Sequence, residues 1–199
     1  EGLFFMNYIV YFLLFLYSIV SMIPFMDSTD KAGNQWLFLS ILNLISLIVL
    51  FISKPSFRFI KSPLFKVIFA FFLICILSIS FSNNVILSLH DISRQSTFFV
   101  AFLFISSFLF SKKLNIKLNV VFAFFVFSLL IESYFSLRPI IYDLIFKGNN
   151  IFDYSSINVN ALIGLTGNRN ITTAAIVIKL PFLYYFIINS NTYLRTILL

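Results

Sequence analysis

The residues with chemistry to offer are few, and one group stands close together. Gly164 to Asn170 reads GLTGNRN and leads into an apolar run. Gly164 and Gly167 permit backbone shapes closed to other residues. If a helix starts here, the amides after Asn170 are its unpaired N-terminal donors, a natural seat for a phosphate. Arg169 would add a charge able to grip it through two parallel hydrogen bonds. The plainer alternative is a turn in which an Asn caps a membrane helix. Gly164, Gly167, Asn168, Arg169 and Asn170 are therefore candidate substrate-binding residues.

Two charges lie inside apolar runs, where charge is costly. Lys179 falls some eight residues into the last run, about 12 Å deep at helical rise. An ammonium at that depth marks a functional candidate facing the bundle interior, unless it snorkels to the interface. Pro181 follows it and would free a backbone carbonyl nearby. Glu132 sits in the preceding run, and an ion pair with Arg138, Arg169 or Lys179 is the cautious expectation. Lys179, Glu132 and Arg138 join the candidate substrate-binding set. His90, Asp91 and Arg94 are expected together in a loop, where they could meet an anionic head group or take part in proton transfer. Asp27 and Asp30, beside Lys31, read more simply as a solvated turn.

Other chemistry is not visible. There is no phosphate-binding P-loop, dinucleotide fingerprint, HExxH or GxSxG. The one cysteine, Cys75, offers neither an internal disulfide nor a Cys-rich metal motif. No cofactor and no metal are expected.

The elements that must position these residues follow from composition. Of 199 residues, 60% are hydrophobic and 11% charged, against roughly 45–50% and about 25% in soluble domains. Phe alone supplies 29 residues, and the apolar residues come in unbroken runs, not in the spaced stripes of a helix on a soluble core. A bilayer crossing takes about 20 mostly apolar residues. Leu3 to Met26, Ala32 to Ser53 and Val67 to Leu89 contain no charge at all. Gln95 to Ser111 is a shorter run, Leu118 to Leu137 contains Glu132, and Ile171 to Ile188 contains Lys179. The expected fold is an all-α, polytopic transmembrane helical bundle of about six spans plus the start of a seventh. Residues 1–199 are expected to form a single transmembrane domain, and an incomplete one, since no initiator Met opens the chain and a new apolar run begins near Thr192. The first run lacks a signal peptide's basic start and cleavage site, so it reads as a retained helix.

Net charge is +7, and its placement argues for topology, not for nucleic acid. Lys54 to Lys66 holds Lys54, Arg58, Lys61 and Lys66 without an acid, and Ser111 to Lys117 holds Lys112, Lys113 and Lys117. Cytoplasmic loops keep such an excess. The acids Asp27, Asp30, Asp91, Asp143 and Asp153 fall in the alternate loops, which places the N-terminus in the cytoplasm. Residues 136–170 form a long outer loop, and loops of that length usually carry function. Its opening, Pro139 to Phe146, has apolar residues at near-helical spacing and is expected as a short helix on the membrane surface.

The stretch GLTGNRNITTAAIVIKLPFLYYF resembles a segment of the O-antigen ligase and polymerase family, bacterial inner-membrane proteins of surface-polysaccharide and lipopolysaccharide biosynthesis. In that family a Gly and a Gly-Asn-x-Asn run into a helix with a downstream Pro, matched here by Gly164, Gly167, Asn168, Asn170 and Pro181. The first outer loop, PFMDSTDKAGNQW, with Pro24, Asp27 and Trp36, is similar to the family's opening hairpin. The resemblance implies a membrane glycosyltransferase-like activity, moving a glycan from an undecaprenyl diphosphate carrier to a glycan or lipid acceptor. It implies that the essential His and Arg lie mainly in a large outer loop beyond this chain, so that His90 is not the catalytic base. The alternative is a transporter or flippase of lipid-linked sugars, with Lys179, Glu132 and Pro181 as a coupling site at a broken helix. A scaffold subunit without chemistry is the third reading.

Overall fold

The computed structural model of the chain describes residues 2–23, 33–55, 57–146 and 169–189. Among them are six α-helices and no strand: α1 (Gly2–Ser18), α2 (Gly33–Ser53), α3 (Pro63–Ser78), α4 (Val85–Leu109), α5 (Leu118–Phe146) and α6 (Arg169–Asn189). Short 3-10 turns follow α1 (Val20–Met22), precede α3 (Arg58–Lys61) and follow it (Ile79–Phe81). The all-α expectation holds.

Among the described residues, five segments are long and apolar enough to cross a bilayer: Gly33–Ser53, Pro63–Phe81, Val85–Leu109, Leu118–Tyr142 and Thr172–Asn189. Phe5–Ser18 is a shorter apolar helix. Their outward faces are covered with Leu, Ile and Phe, and α3 buries none of its residues. Water would penalise that surface by roughly 25 cal/mol for each Å²; hydrocarbon does not. The chain is a multi-pass helical membrane protein.

Helix boundaries differ from the apolar runs where side chains cap or interrupt the backbone. The run expected to continue from Leu3 to Met26 stops being α-helical at Ser18 and tightens into the turn Val20–Met22. The run Val67 to Leu89 is split between two helices. Ser82 Oγ accepts from Asn84 N at 3.2 Å and shares a hydrogen bond with Ser88 Oγ at 2.5 Å. Asn84 then caps α4, its side chain accepting from Leu87 N at 3.1 Å. His90, Asp91 and Arg94 consequently ride on the first turns of α4, not in a loop. Nor is the segment from Pro139 a separate surface helix: α5 runs through Pro139 without ending and reaches Phe146. Asp27, Asp30 and residues 147–168 lie outside the described residues.

The chain divides into two compact units, Glu1–Leu14 with Trp36–Leu118, and Phe15–Gln35 with Asn119–Leu199. In the first, α2 buries Leu39, Leu42, Asn43, Ser46 and Val49, a helical stripe at intervals of three and four. Asn43 Nδ2 donates to the Thr97 carbonyl of α4 at 3.0 Å, and Trp36 meets Phe98 edge-on at 4.5 Å. α3 leans on α4 through aromatic rings, with Phe72 stacked on Phe99 at 4.6 Å. Tyr11 ties α1 to the chain before α5: its hydroxyl accepts from Lys117 N at 2.7 Å and donates to the Asn115 carbonyl at 3.4 Å. In the second unit α5 and α6 pack through Phe125 on Phe182, stacked at 4.5 Å, and Phe122 edge-on to Tyr185 at 4.8 Å. Tyr185 Oη also donates to Asn119 Oδ1 at 3.0 Å.

A buried lysine, glutamate and serine knot as the candidate functional site

The second unit holds an interior polar cluster, and it begins where α1 ends. A helix end inside a bilayer leaves carbonyls that lipid cannot satisfy. Ser18 Oγ turns back to its own helix, donating to the Phe15 carbonyl at 2.7 Å, with a longer approach of 3.5 Å to the Phe124 carbonyl of α5. The Ser18 carbonyl accepts from Ser128 Oγ of α5 at 2.8 Å. In the 3-10 turn that follows, Gln35 Nε2 donates to the carbonyls of Ser21 and Ile23, each at 3.2 Å. Side chains thus replace the backbone partners that an unbroken helix would have had.

The same break delivers Ser21 to a pair of charges. Ser128 and Glu132 are four residues apart on α5, hence on one face of the helix, and both are buried. Lys179 comes from α6, where Thr172 and Lys179 mark the buried stripe seven residues apart. Lys179 Nζ donates to Ser128 Oγ at 2.6 Å, to Ser21 Oγ at 2.8 Å and to Glu132 Oε2 at 2.9 Å. Ser21 Oγ in turn donates to Glu132 Oε1 at 2.5 Å. The two charged side chains are only 7% and 2% exposed, so neither snorkels to an interface.

The arrangement is closed. An ammonium has three donors, and all three are used; each carboxylate oxygen accepts one hydrogen bond. Ser128 already donates to a carbonyl, so its hydroxyl proton is not poised for transfer to Lys179, as a serine nucleophile would require. The net charge of the ring is zero, which is the condition under which an ion pair survives burial. What such a ring does well is hold three segments in one geometry.

Of the expected partners of Glu132, the structure selects Lys179. Arg138 lies exposed farther along α5, and Arg169 is the first residue of α6. Asn170 follows in the first turn of α6 and is exposed. Gly164, Gly167 and Asn168 lie outside the described residues. The expected carbonyl partner released by Pro181 is not among the three acceptors of Lys179, which are side chains of α5 and of the turn after α1. Ser18, Ser21, Gln35 and Ser128 were not singled out by sequence. Only their places gave a signal: Ser128 four residues before Glu132, and Ser18 and Ser21 three apart at the end of an apolar run.

Two other features belong to the first unit. On α4, His90 Nδ1 stands 3.8 Å from Asp91 Oδ1, both exposed, and Arg94 lies over the Trp36 ring at 5.5 Å. Between α3 and α4 a cleft of about 210 Å³ is lined by aromatic rings, chiefly Phe71, Phe72, Phe98, Phe99 and Phe102, with Cys75 and Gln95 beside them. Among the described residues no three His, Cys, Asp or Glu side chains gather in a way that could hold a metal ion. No protein-family model, curated protein or solved structure matches this chain.

Proposed function

We propose that this chain belongs to a bacterial inner-membrane glycan ligase or polymerase. It moves a glycan from undecaprenyl diphosphate to an acceptor sugar or lipid during surface-polysaccharide synthesis. The observation that carries this reading is the start of α6 at Arg169. Arg169 and Asn170, the last two residues of the run Gly-Asn-Arg-Asn, thereby lie in the first turn of a membrane helix, whose first amides have no helical partner and whose dipole favours an anion. A diphosphate is the anion such a head suits, with Arg169 as its charged partner. In this reading the N-terminus and the lysine-rich connections are cytoplasmic, and the head of α6 faces outward, where the acceptor is. No catalytic base is assigned.

The test is genetic. In cells that depend on this gene for polysaccharide, Arg169→Ala and Asn168→Ala should each abolish the elongated or capped ladder on a gel at unchanged membrane levels of the protein. A normal ladder from both variants removes the diphosphate site.

A transporter or flippase of lipid-linked sugars is favoured by a different observation, the Lys179 and Glu132 pair at the interrupted end of α1. The two readings part on the unused donor. Loss of a transferase leaves lipid-linked glycan in the outer leaflet, open to an impermeant sugar-oxidising probe. Loss of a flippase leaves it in the inner leaflet, shielded.

A further inference from the structure

Every donor in the ring of Lys179, Glu132, Ser21 and Ser128 is engaged within the protein, yet the ring lies on the helix whose head is the proposed diphosphate site. From Arg169 to Lys179 is ten residues of α6, or about 15 Å at helical rise. We propose that the ring is a register lock: it fixes the depth and rotation of α6 against α5 and the end of α1, and so sets the donor affinity of the α6 head. This rests on the glycan-transfer reading for the ligand, though not for the lock itself.

The physical argument concerns sliding. Between membrane helices there is no hydrophobic force to set register, because lipid tails are as apolar as Leu. The aromatic contacts of α6 gather on its later turns, at Phe182 and Tyr185. Flat rings tolerate small slips. The lysine does not: a slip of one residue moves its Cα by about 1.5 Å along the axis and turns it by about 100°. All three donors, 2.6 to 2.9 Å long, would then be lost together. An ammonium left alone in hydrocarbon is strongly disfavoured, so the intermediate positions are empty and the register is discrete. The end of α1 is part of the lock because Ser21 bonds both charges. Lys179 and Glu132 are accordingly positioning residues, acting on the donor through the α6 backbone.

The lock is separable from simple stability, since replacing a buried ion pair by apolar residues of similar volume is often neutral for folding. The test uses two double variants, Glu132→Leu with Lys179→Met, and the exchanged pair Glu132→Lys with Lys179→Glu. In one arm the full-length gene product, in lipid nanodiscs, is assayed with a polyprenyl diphosphate-linked oligosaccharide. The apolar pair should raise KM for this donor about tenfold while kcat changes less, the pattern of weakened binding, and the exchanged pair should restore it. An unchanged KM in the apolar pair overturns the proposal. In a second arm, independent of activity, Asn119→Cys and Tyr185→Cys are introduced with Cys75→Ala, and oxidative cross-linking reports the register of α6 on α5. The apolar pair should lower the yield severalfold and the exchanged pair recover it. Equal yields in all three overturn the lock. If the parent protein does not use the donor but the cross-link falls as expected, the glycan-transfer reading fails and the lock stands. Should the apolar pair not accumulate, the exchanged pair decides alone, parental KM and cross-linking supporting the lock and loss of either overturning it.

Discussion

Ser128 carries two bonds at once, accepting from Lys179 and donating to the Ser18 carbonyl, with no exposed surface. Its removal shows how polar groups behave in this interior. Hydrogen bonds between membrane helices average only about 0.6 kcal/mol in measured cycles. Leaving buried partners unsatisfied costs roughly 1–3 kcal/mol, and more for a charged one. The second figure applies here, because Ser128→Ala strands both an ammonium donor and the carbonyl at a helix end. We expect a loss of about 2 kcal/mol, measured as unfolding in mixed micelles. Ser40→Ala makes the comparison: that hydroxyl bonds only the Trp36 carbonyl of its own exposed turn, and its removal should cost a few tenths at most. At this scale the sequence was readable for the charges and not for the hydroxyls. A Lys or Glu in an apolar run stands out because burial demands a partner. Serines recur along the spans of α2 to α5, and several, such as Ser40, Ser93 and Ser107, hydrogen-bond back to the preceding turn of their own helix. Which serine turns to another helix is a matter of three-dimensional contact.

Helices were harder to delimit than to detect. A 25-residue helix is about 37 Å long, longer than the roughly 30 Å of hydrocarbon. The first turns of α4 can therefore carry His90, Asp91 and Arg94 beyond the apolar zone and remain helical. Equating charge with loop misplaced them. The true starts are marked by capping side chains: Asn84, before Val85, accepts from Leu87 N at 3.1 Å, and Ser62, before Pro63, accepts from Phe65 N at 3.2 Å. Pro139 misled in the other direction, since a proline within a membrane helix need not end it. The close of α2 is a place where the backbone itself is strained. Lys54 has φ of 43°, in the left-handed region, while its amide still bonds the Leu50 carbonyl at 2.9 Å. Pro55 follows and disfavours the right-handed helical conformation for Lys54. A side chain in this region costs roughly 1–2 kcal/mol that glycine avoids. Lys54→Gly should thus stabilise the protein by about 1 kcal/mol in the same micelle unfolding assay. A destabilised variant would mean that the lysine side chain makes contacts worth more than the strain.

A lysine retained at a strained position asks what it does for the molecule as a whole, and the answer proposed here is orientation. The connection after α2 holds Lys54 and Lys61, and the connection after α4 holds Lys112, Lys113 and Lys117. Lysines on short connections are the ones the translocation machinery reads, and in the proposed orientation these stay in the cytoplasm. The proposed topology predicts an outer location for Asn83, before α4, for Tyr142, near the end of α5, and for the head of α6. Single cysteines at exposed positions in a Cys75→Ala background test this directly with a membrane-impermeant maleimide. Asn83→Cys and Tyr142→Cys should react in intact cells, whereas Phe57→Cys and Lys113→Cys should react only after permeabilisation. The inverse pattern would turn the head of α6 toward the cytoplasm. It would remove the glycan-transfer reading at once, because an acceptor on the outer side could not reach a diphosphate held there. Labelling of Asn83 and Phe57 from the same side would go further and deny that α3 crosses the bilayer. That outcome is opposed by the apolar surface of α3, which is long enough to span and buries nothing. The orientation can also be reversed by design. Neutralising Lys112, Lys113 and Lys117 while adding three lysines between Ser82 and Asn84 should shift Lys113→Cys toward reactivity in intact cells, since the lysine bias, and not the acids, sets the direction.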